Sequence, residues 1–244
     1  MKKWQSAAAR RIGELSGTSS VERGVAVIVE RLLNGVSCPP TDLDQLMRKL
    51  NVVDCKLDQD MLVPGELRRS GDKLEIYLIP GLSKGRQRFT IAHELGHAIF
   101  ESSGSGRHRH GRELERLCDK IAAEILMPKA IFIKLVGNRP TIDRLIELSR
   151  QFETSLSATL IRAAELYGVR AFEVDNGTIN WSIGISQREF AGAGSSFQRS
   201  IERGMDGESG RESIELHFGS RFTKWQMEWR CVGREKRAVF LLTP

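Results

Sequence analysis

The sequence predicts an α+β fold in two parts, with helices around a small sheet in residues 1–170 and a second α+β domain in residues 171–244. Three observations predict it. Apolar residues recur at helical spacing through residues 88–100 and 113–126. Residues 52–56, 61–69 and 73–79 read as strands, the last two joined by a Ser-Gly-Asp turn. The composition then shifts after Gly168, beyond which lie Trp181, Trp225, Trp229 and the Gly/Ser-rich segment 191–196.

In chain order, residues 7–36 read as one helix with Val25, Ile28, Val29, Leu32 and Leu33 on its buried side and Gly35 past its end. Cys38-Pro39-Pro40 makes an extended turn, after which Thr41 or Asp42 caps a helix that buries Leu43, Leu46, Met47 and Leu50. The second and third strands join through Ser70-Gly71-Asp72 as a hairpin. Pro128 stops the helix over 113–126, and residues 130–136 continue as another. Residues 141–152 and 155–167 form a helical hairpin with Leu145, Leu148, Phe152, Leu156, Leu160, Ile161 and Leu166 as its apolar set. Its Glu153-Thr154-Ser155 turn gives it the look of a helix-turn-helix, and a DNA contact would fall to Ser157 and Thr159 as exposed residues early in the second helix. That helix offers only Arg162 as a cation, so the hairpin is expected to pack on the first domain and complete it. Strands follow at 179–185, 213–218, 225–232 and 238–242, with a loop or short helix between Phe190 and Gly210.

The chemistry-bearing stretch is Arg88-Phe89-Thr90-Ile91-Ala92-His93-Glu94-Leu95-Gly96-His97. Residues four apart on a helix lie almost above one another, so His93 and His97 can share one tetrahedral cation. Glu94, one step round, can reach a water on that cation, and H-E-x-x-H is the pattern in which two imidazoles hold zinc while the carboxylate takes the water's proton. Free water is a weak nucleophile at neutral pH, and zinc lowers its pKa towards about 7. The surrounding Ile91, Ala92, Leu95, Ala98, Ile99 and Phe100 make this an apolar helix, in which imidazoles need partners.

An open zinc site keeps three protein ligands. In the next helix Leu114, Leu117, Ile121 and Ile125 form the buried face, Glu115 and Asp119 share another, and the small Cys118 and Ala122 allow close approach. Glu115 is therefore assigned as third ligand and Asp119 as the carboxylate that orients a ligand histidine. Glu113 and Glu124 lie roughly half a turn away from Glu115 and read as solvated acids. His108 and His110, in a Gly-bounded basic loop, read as solvated, and Cys118 as a packing residue.

Arg86-Gln87-Arg88-Phe89-Thr90-Ile91-Ala92-His93-Glu94-Leu95-Gly96-His97, followed by Glu115-x-x-Cys118-Asp119-x-x-Ala122-Ala123-Glu124-Ile125-Leu126-Met127-Pro128, resembles the ImmA/IrrE family of zinc metallopeptidases. Pro39-Pro40-Thr41-Asp42-Leu43 with Leu46 and Leu50 adds to the resemblance, which spans roughly residues 20–170. It implies a gluzincin-like zinc metallopeptidase domain with His93, His97 and Glu115 on Zn2+ and Glu94 as base. It also implies cleavage of a helix-turn-helix repressor and so derepression of stress, mobile-element or anti-phage defence genes, the last as in the CapP-like subgroup. The C-terminal domain would then be a sensor or regulator, and the sheet would border the cleft with an edge strand able to pair with an extended substrate. His217, Tyr167 and an arginine of the 107–112 loop are candidates for steadying the oxyanion, and Cys38 is a candidate regulatory thiol.

Cys38, Cys55, Cys118 and Cys231 have no paired spacing, which suits reduced thiols in a cytoplasmic protein. The basic N-terminus has no apolar run behind it, and no stretch is long and apolar enough to cross a bilayer. Residues 71–112 carry +3 of the net charge of +6. That excess suggests Arg107, Arg109 and Arg112 as contacts for substrate or for single-stranded DNA acting as an activator. The competing expectation is a zinc-stabilised regulator that sequesters a transcription factor or DNA without cutting. The intact Glu94 argues for the enzyme, because a structural zinc site is closed by four ligands and needs no base.

Overall fold

A computed structural model describes residues 6–102, 111–186, 189–190, 194–218, 221–232 and 236–244. The fold is α+β with two sheets, and the chain divides into two compact units, residues 1–132 with 150–155 and residues 133–149 with 156–244.

The first unit opens with two helices, not one: α1 (Ala7–Ser16) and α2 (Val21–Leu33). Gly17 ends α1 in the left-handed conformation at φ 74°, open to glycine without a Cβ penalty, and the Ser20 side chain accepts the Arg23 N–H to start α2. Helix α3 (Leu43–Lys49) is capped by Asp42, which accepts the Gln45 N–H at 2.9 Å. Strands β1 (Val52–Leu57), β2 (Gly65–Ser70) and β3 (Lys73–Leu78) form a sheet in the order β1-β3-β2, with β1 parallel and β2 antiparallel to β3. The expected hairpin is present, its register closing at Ser70 opposite Lys73. Leu74, Ile76 and Leu78 alternate on the buried face of β3, while β2 is left at an edge.

Helices α4 (Lys84–Ser102) and α5 (Arg112–Leu126) complete the unit and lie along one another. Ala92, Leu95 and Ala98 of α4 and Leu117, Cys118, Ile121 and Ile125 of α5 are fully buried. A Cβ on Gly96 would come within 3.1 Å of the Cys118 Cα, so the missing side chain on one helix is what lets the other approach. The start of α4 is held by residues 150–155: Lys84 Nζ sits 2.6 Å from Glu153 Oε1, and Gly85 lies against the Thr154 and Ser155 backbone. Phe132 and Phe152 stack with centroids 5.9 Å apart.

Helices α6 (Lys129–Val136) and α7 (Ile142–Gln151) run from one unit into the other, and α8 (Leu156–Tyr167) belongs to the second. There β4 (Arg170–Asp175), β5 (Thr178–Ile183), β6 (Gly210–Phe218), β7 (Arg221–Cys231) and β8 (Arg237–Thr243) make an antiparallel sheet in the order β5-β4-β8-β7-β6. On one face Phe172, Val174, Met227, Trp229, Phe240 and Leu242 pack under helix α9 (Ser195–Met205), which contributes Phe197. The other face meets the helices before it: the Ile142 N–H donates to Glu228, Arg139 to Thr243, and Ser157 to Glu173. Packing thus groups residues 133–149 and 156–167 with the C-terminal sheet, whereas the division at residue 170 follows composition.

Thr159 is fully buried, against the expectation of an exposed residue early in α8, because that face of the helix turns inward together with Leu160 and Ala163. Arg162 is buried as well. Strand β4 is absent from the sequence reading; Asn176-Gly177, a strong hairpin turn, marks its end and the start of β5.

Candidate active site

Two adjacent turns of α4 present His93 and His97, and the first half of α5 presents Glu115 and Asp119 towards them. His93 Nε2 lies 3.3 Å from His97 Nε2 and 3.2 Å from Glu115 Oε2, and His97 Nε2 lies 3.7 Å from the same oxygen. Donors at zinc-ligand bond lengths of about 2.0–2.1 Å in a tetrahedron are about 3.3 Å apart. The triangle of two imidazole nitrogens and one carboxylate oxygen therefore fits a single small divalent ion. Among the described residues this is the one cluster of three ligand-type side chains with such spacing.

The far side of His93 is also fixed. Its Nδ1 is 2.9 Å from Asp119 Oδ1, so with the proton on Nδ1 donated to the carboxylate, Nε2 keeps its lone pair for a cation. Glu113 and Glu124 are engaged elsewhere, accepting the Ser6 N–H and the Lys129 N–H at 2.9 Å each.

Glu94 forms the floor. It is 6% exposed, and burial pushes its carboxyl up to about 7, against the pull of His93 and of the Leu67 N–H that donates to it. The Leu67 contact ties the edge strand to the site. Gly65 makes this approach feasible, since a Cβ there would fall 2.3 Å from Thr90 Cγ2 and 3.3 Å from Glu94 Oε1. The result is a cleft of about 550 Å³ lined by β2, by the exposed face of α4 and by Leu114, Glu115 and Asp119 of α5.

Residues 49–164 match the family model of the IrrE N-terminal-like domain, a peptidase domain that takes in α4, α5 and all five side chains of the site. That stretch, just under half of the chain, is similar to the IrrE N-terminal-like peptidase domain. A curated relative is the radiation response metalloprotease IrrE of Deinococcus radiodurans, 38% identical over 90 residues that span 33% of this chain and 27% of that protein. A Mycobacterium tuberculosis transcriptional regulator shares the fold at a TM-score of 0.55 and 13% identity, over 97% of this chain and 80% of that one. Similarity to a metallopeptidase domain implies a divalent metal, which the donor triangle suits.

Other residues named from the sequence fall in several places. Arg107, His108, Arg109 and His110 lie outside the described residues, as does the side chain of His217; Arg112 is exposed at the start of α5. The Tyr167 hydroxyl donates to the carbonyl of Gly137 at 2.8 Å. Cys38 has its sulfur 3.3 Å from the Thr41 hydroxyl, burial raises its thiol pKa, and it is not among the residues that line the cleft. Gly65 and Arg86 are among the cleft residues to which the sequence assigns no role. Gly65 falls inside the strand expected over 61–69, which in the structure begins only there, after Pro64, and Arg86 lies on the face of α4 that His93 occupies two turns on, a seven-residue offset that the sequence carries.

No helix among the described residues is long and apolar enough to cross a membrane.

Proposed function

We propose that this chain is a zinc-dependent endopeptidase of the ImmA/IrrE kind that cleaves a helix-turn-helix transcriptional repressor, releasing stress, mobile-element or anti-phage defence genes. The observation that carries the reading is the triangle of His93, His97 and Glu115 donors beside the buried Glu94, open to a cleft. A zinc ion held by those three residues would supply Lewis acidity, lowering the pKa of the attacking water and steadying the oxyanion. Glu94 takes the water's proton and hands it to the leaving amine. Leu67, by donating to Glu94, holds that carboxylate at the inner edge of β2. Asp119 holds His93 in the tautomer that presents Nε2. An extended substrate aligned along the open edge of β2 brings its scissile carbonyl over Glu94 through main-chain hydrogen bonds.

The sheet unit fits a regulatory role, with a filled aromatic core and no share in the donor triangle. Single-stranded DNA as the activating signal is supported by the excess of cations in residues 71–112, and a cytoplasmic site of action by four free cysteines. The test is incubation with the product of a neighbouring helix-turn-helix gene, with and without chelator. Metal-dependent cleavage is expected, and Glu94→Gln should bind metal yet slow cleavage by about 10²–10⁴-fold. Equal rates for wild type and Glu94→Gln would refute this mechanism, and tight binding without cleavage would make the protein a sequestering factor.

A further inference from the structure

Three cations open α4, and they are treated differently. Lys84 is fixed to Glu153, and Arg88 is held by Glu153 and by the Thr41 carbonyl at 2.7 Å. Arg86, between them, is exposed, lines the catalytic cleft, and has no ion-pair partner among the described residues. Among the described residues it is also the only lysine or arginine in the cleft lining, where Glu66 and Glu101 are neutralised by Arg68 and Arg69. An uncompensated guanidinium is thus aimed at whatever fills that end of the cleft.

Its distance from the chemistry limits its role. Arg86 precedes His93 by seven residues, about 10 Å along the helix axis, and helical side chains lean towards the N-terminus, which carries the guanidinium further away. It cannot reach the oxyanion. It can reach a substrate side chain.

The direction of the substrate follows from the edge strand. β2 runs alongside α4 in the same sense: Gly65 lies against Thr90, Leu67 donates to Glu94, and Arg69 pairs with Glu101. Antiparallel pairing is the more stable way to extend the sheet. A substrate laid antiparallel on β2 enters at the Glu101 end and leaves, C-terminal half last, past Arg86. At about 3.4 Å per extended residue, 10 Å is about three residues.

We propose that Arg86 is a specificity-determining residue that receives a substrate aspartate or glutamate about three residues C-terminal to the scissile bond. This rests on the peptidase reading above. Bidentate geometry favours a carboxylate over an amide there, and at a partly solvated site one such pair is worth on the order of fivefold in kcat/KM.

The experiment profiles cleavage of a randomised decapeptide library by the zinc-loaded full chain, then measures matched peptides with Asp or Asn at the third position after the cut. Enrichment of Asp and Glu there is expected. Arg86→Ala should bring the Asp:Asn ratio from about five to about one, and Arg86→Glu should shift the enrichment to Lys and Arg. Because Arg86 is exposed, both variants should melt with wild type and hold as much zinc. Cleavage with no acidic enrichment at that position, or enrichment that survives Arg86→Glu, overturns the proposal and leaves the peptidase reading standing. A wild type that cuts no more than Glu94→Gln brings down both.

Discussion

Replacing Gly96 with alanine tests whether the metal centre depends on how closely α4 and α5 approach. At an ordinary interior helix position this change stabilises a protein by roughly 0.5–1 kcal/mol. Here the new methyl would meet Cys118 Cα at 3.1 Å, its Cβ at 3.2 Å and its Sγ at 3.4 Å. Two of those atoms belong to the α5 framework and cannot rotate aside, so the helix has to move by a few tenths of an ångström. Overpacking of this kind costs about 1–3 kcal/mol, which leaves a net loss of up to about 2 kcal/mol after the propensity gain, or a fall in Tm of several degrees. The displaced helix carries Glu115 and Asp119, whose contacts with His93 are 3.2 and 2.9 Å, so zinc affinity should drop by about tenfold. Thermal melts of the metal-free protein and competitive zinc titrations read the two effects separately. Cys118→Ala should rescue only in part, since Cα and Cβ remain. A Gly96→Ala protein that melts higher and binds zinc as tightly as wild type would refute the close-contact argument.

Other outcomes follow from the same geometry. Asp119→Ala should weaken zinc binding by about 10–100-fold while leaving the metal-free melting temperature within about a degree, because the carboxylate is half exposed and acts through His93; unchanged affinity would strip it of that role. Gly65→Ala should cut kcat/KM by about tenfold or more with zinc affinity nearly intact, since it forces β2 from Thr90 and Glu94 but leaves the donor triangle alone; a parallel loss of zinc would contradict this. Glu173 is 1% exposed; burial pushes its carboxyl up, but hydrogen bonds from Asn180 and Arg237 outweigh that and hold it below the usual range. Its ionised form therefore contributes stability that is present above the unfolded pKa and lost as pH falls through the lower folded value. Melting temperature should fall more steeply below about pH 5 in wild type than in Glu173→Gln, and parallel curves would dismiss the effect.

The catalytic arrangement was legible because it is periodic. Four-residue spacings in His93/His97 and Glu115/Asp119 are statements about helix faces, and both helices carry enough apolar residues to fix which face turns inward. Where information lies in contacts between distant residues, the sequence is silent. Gly96 and Gly65 look like ordinary glycines until Cys118 and Thr90 stand opposite them. The parallel pairing of β1 with β3 has no local signature, and Thr159, expected outside as an early residue of the hairpin's second helix, is buried. The break at Gly17 and the turn at Asn176-Gly177 were local signals that the longer apolar pattern concealed.

The first compact unit takes in residues 150–155, well beyond its other boundary at Phe132. During synthesis, then, the helices that carry the donor triangle emerge before the segment that clamps the start of α4 exists. A nascent chain or proteolytic fragment ending at residue 132 would lack both Glu153 and Phe152, leaving Lys84 unpaired and Phe132 without its stacking neighbour. The start of α4 is therefore anchored late, and a single cut between residues 132 and 150 would separate the unit's two pieces.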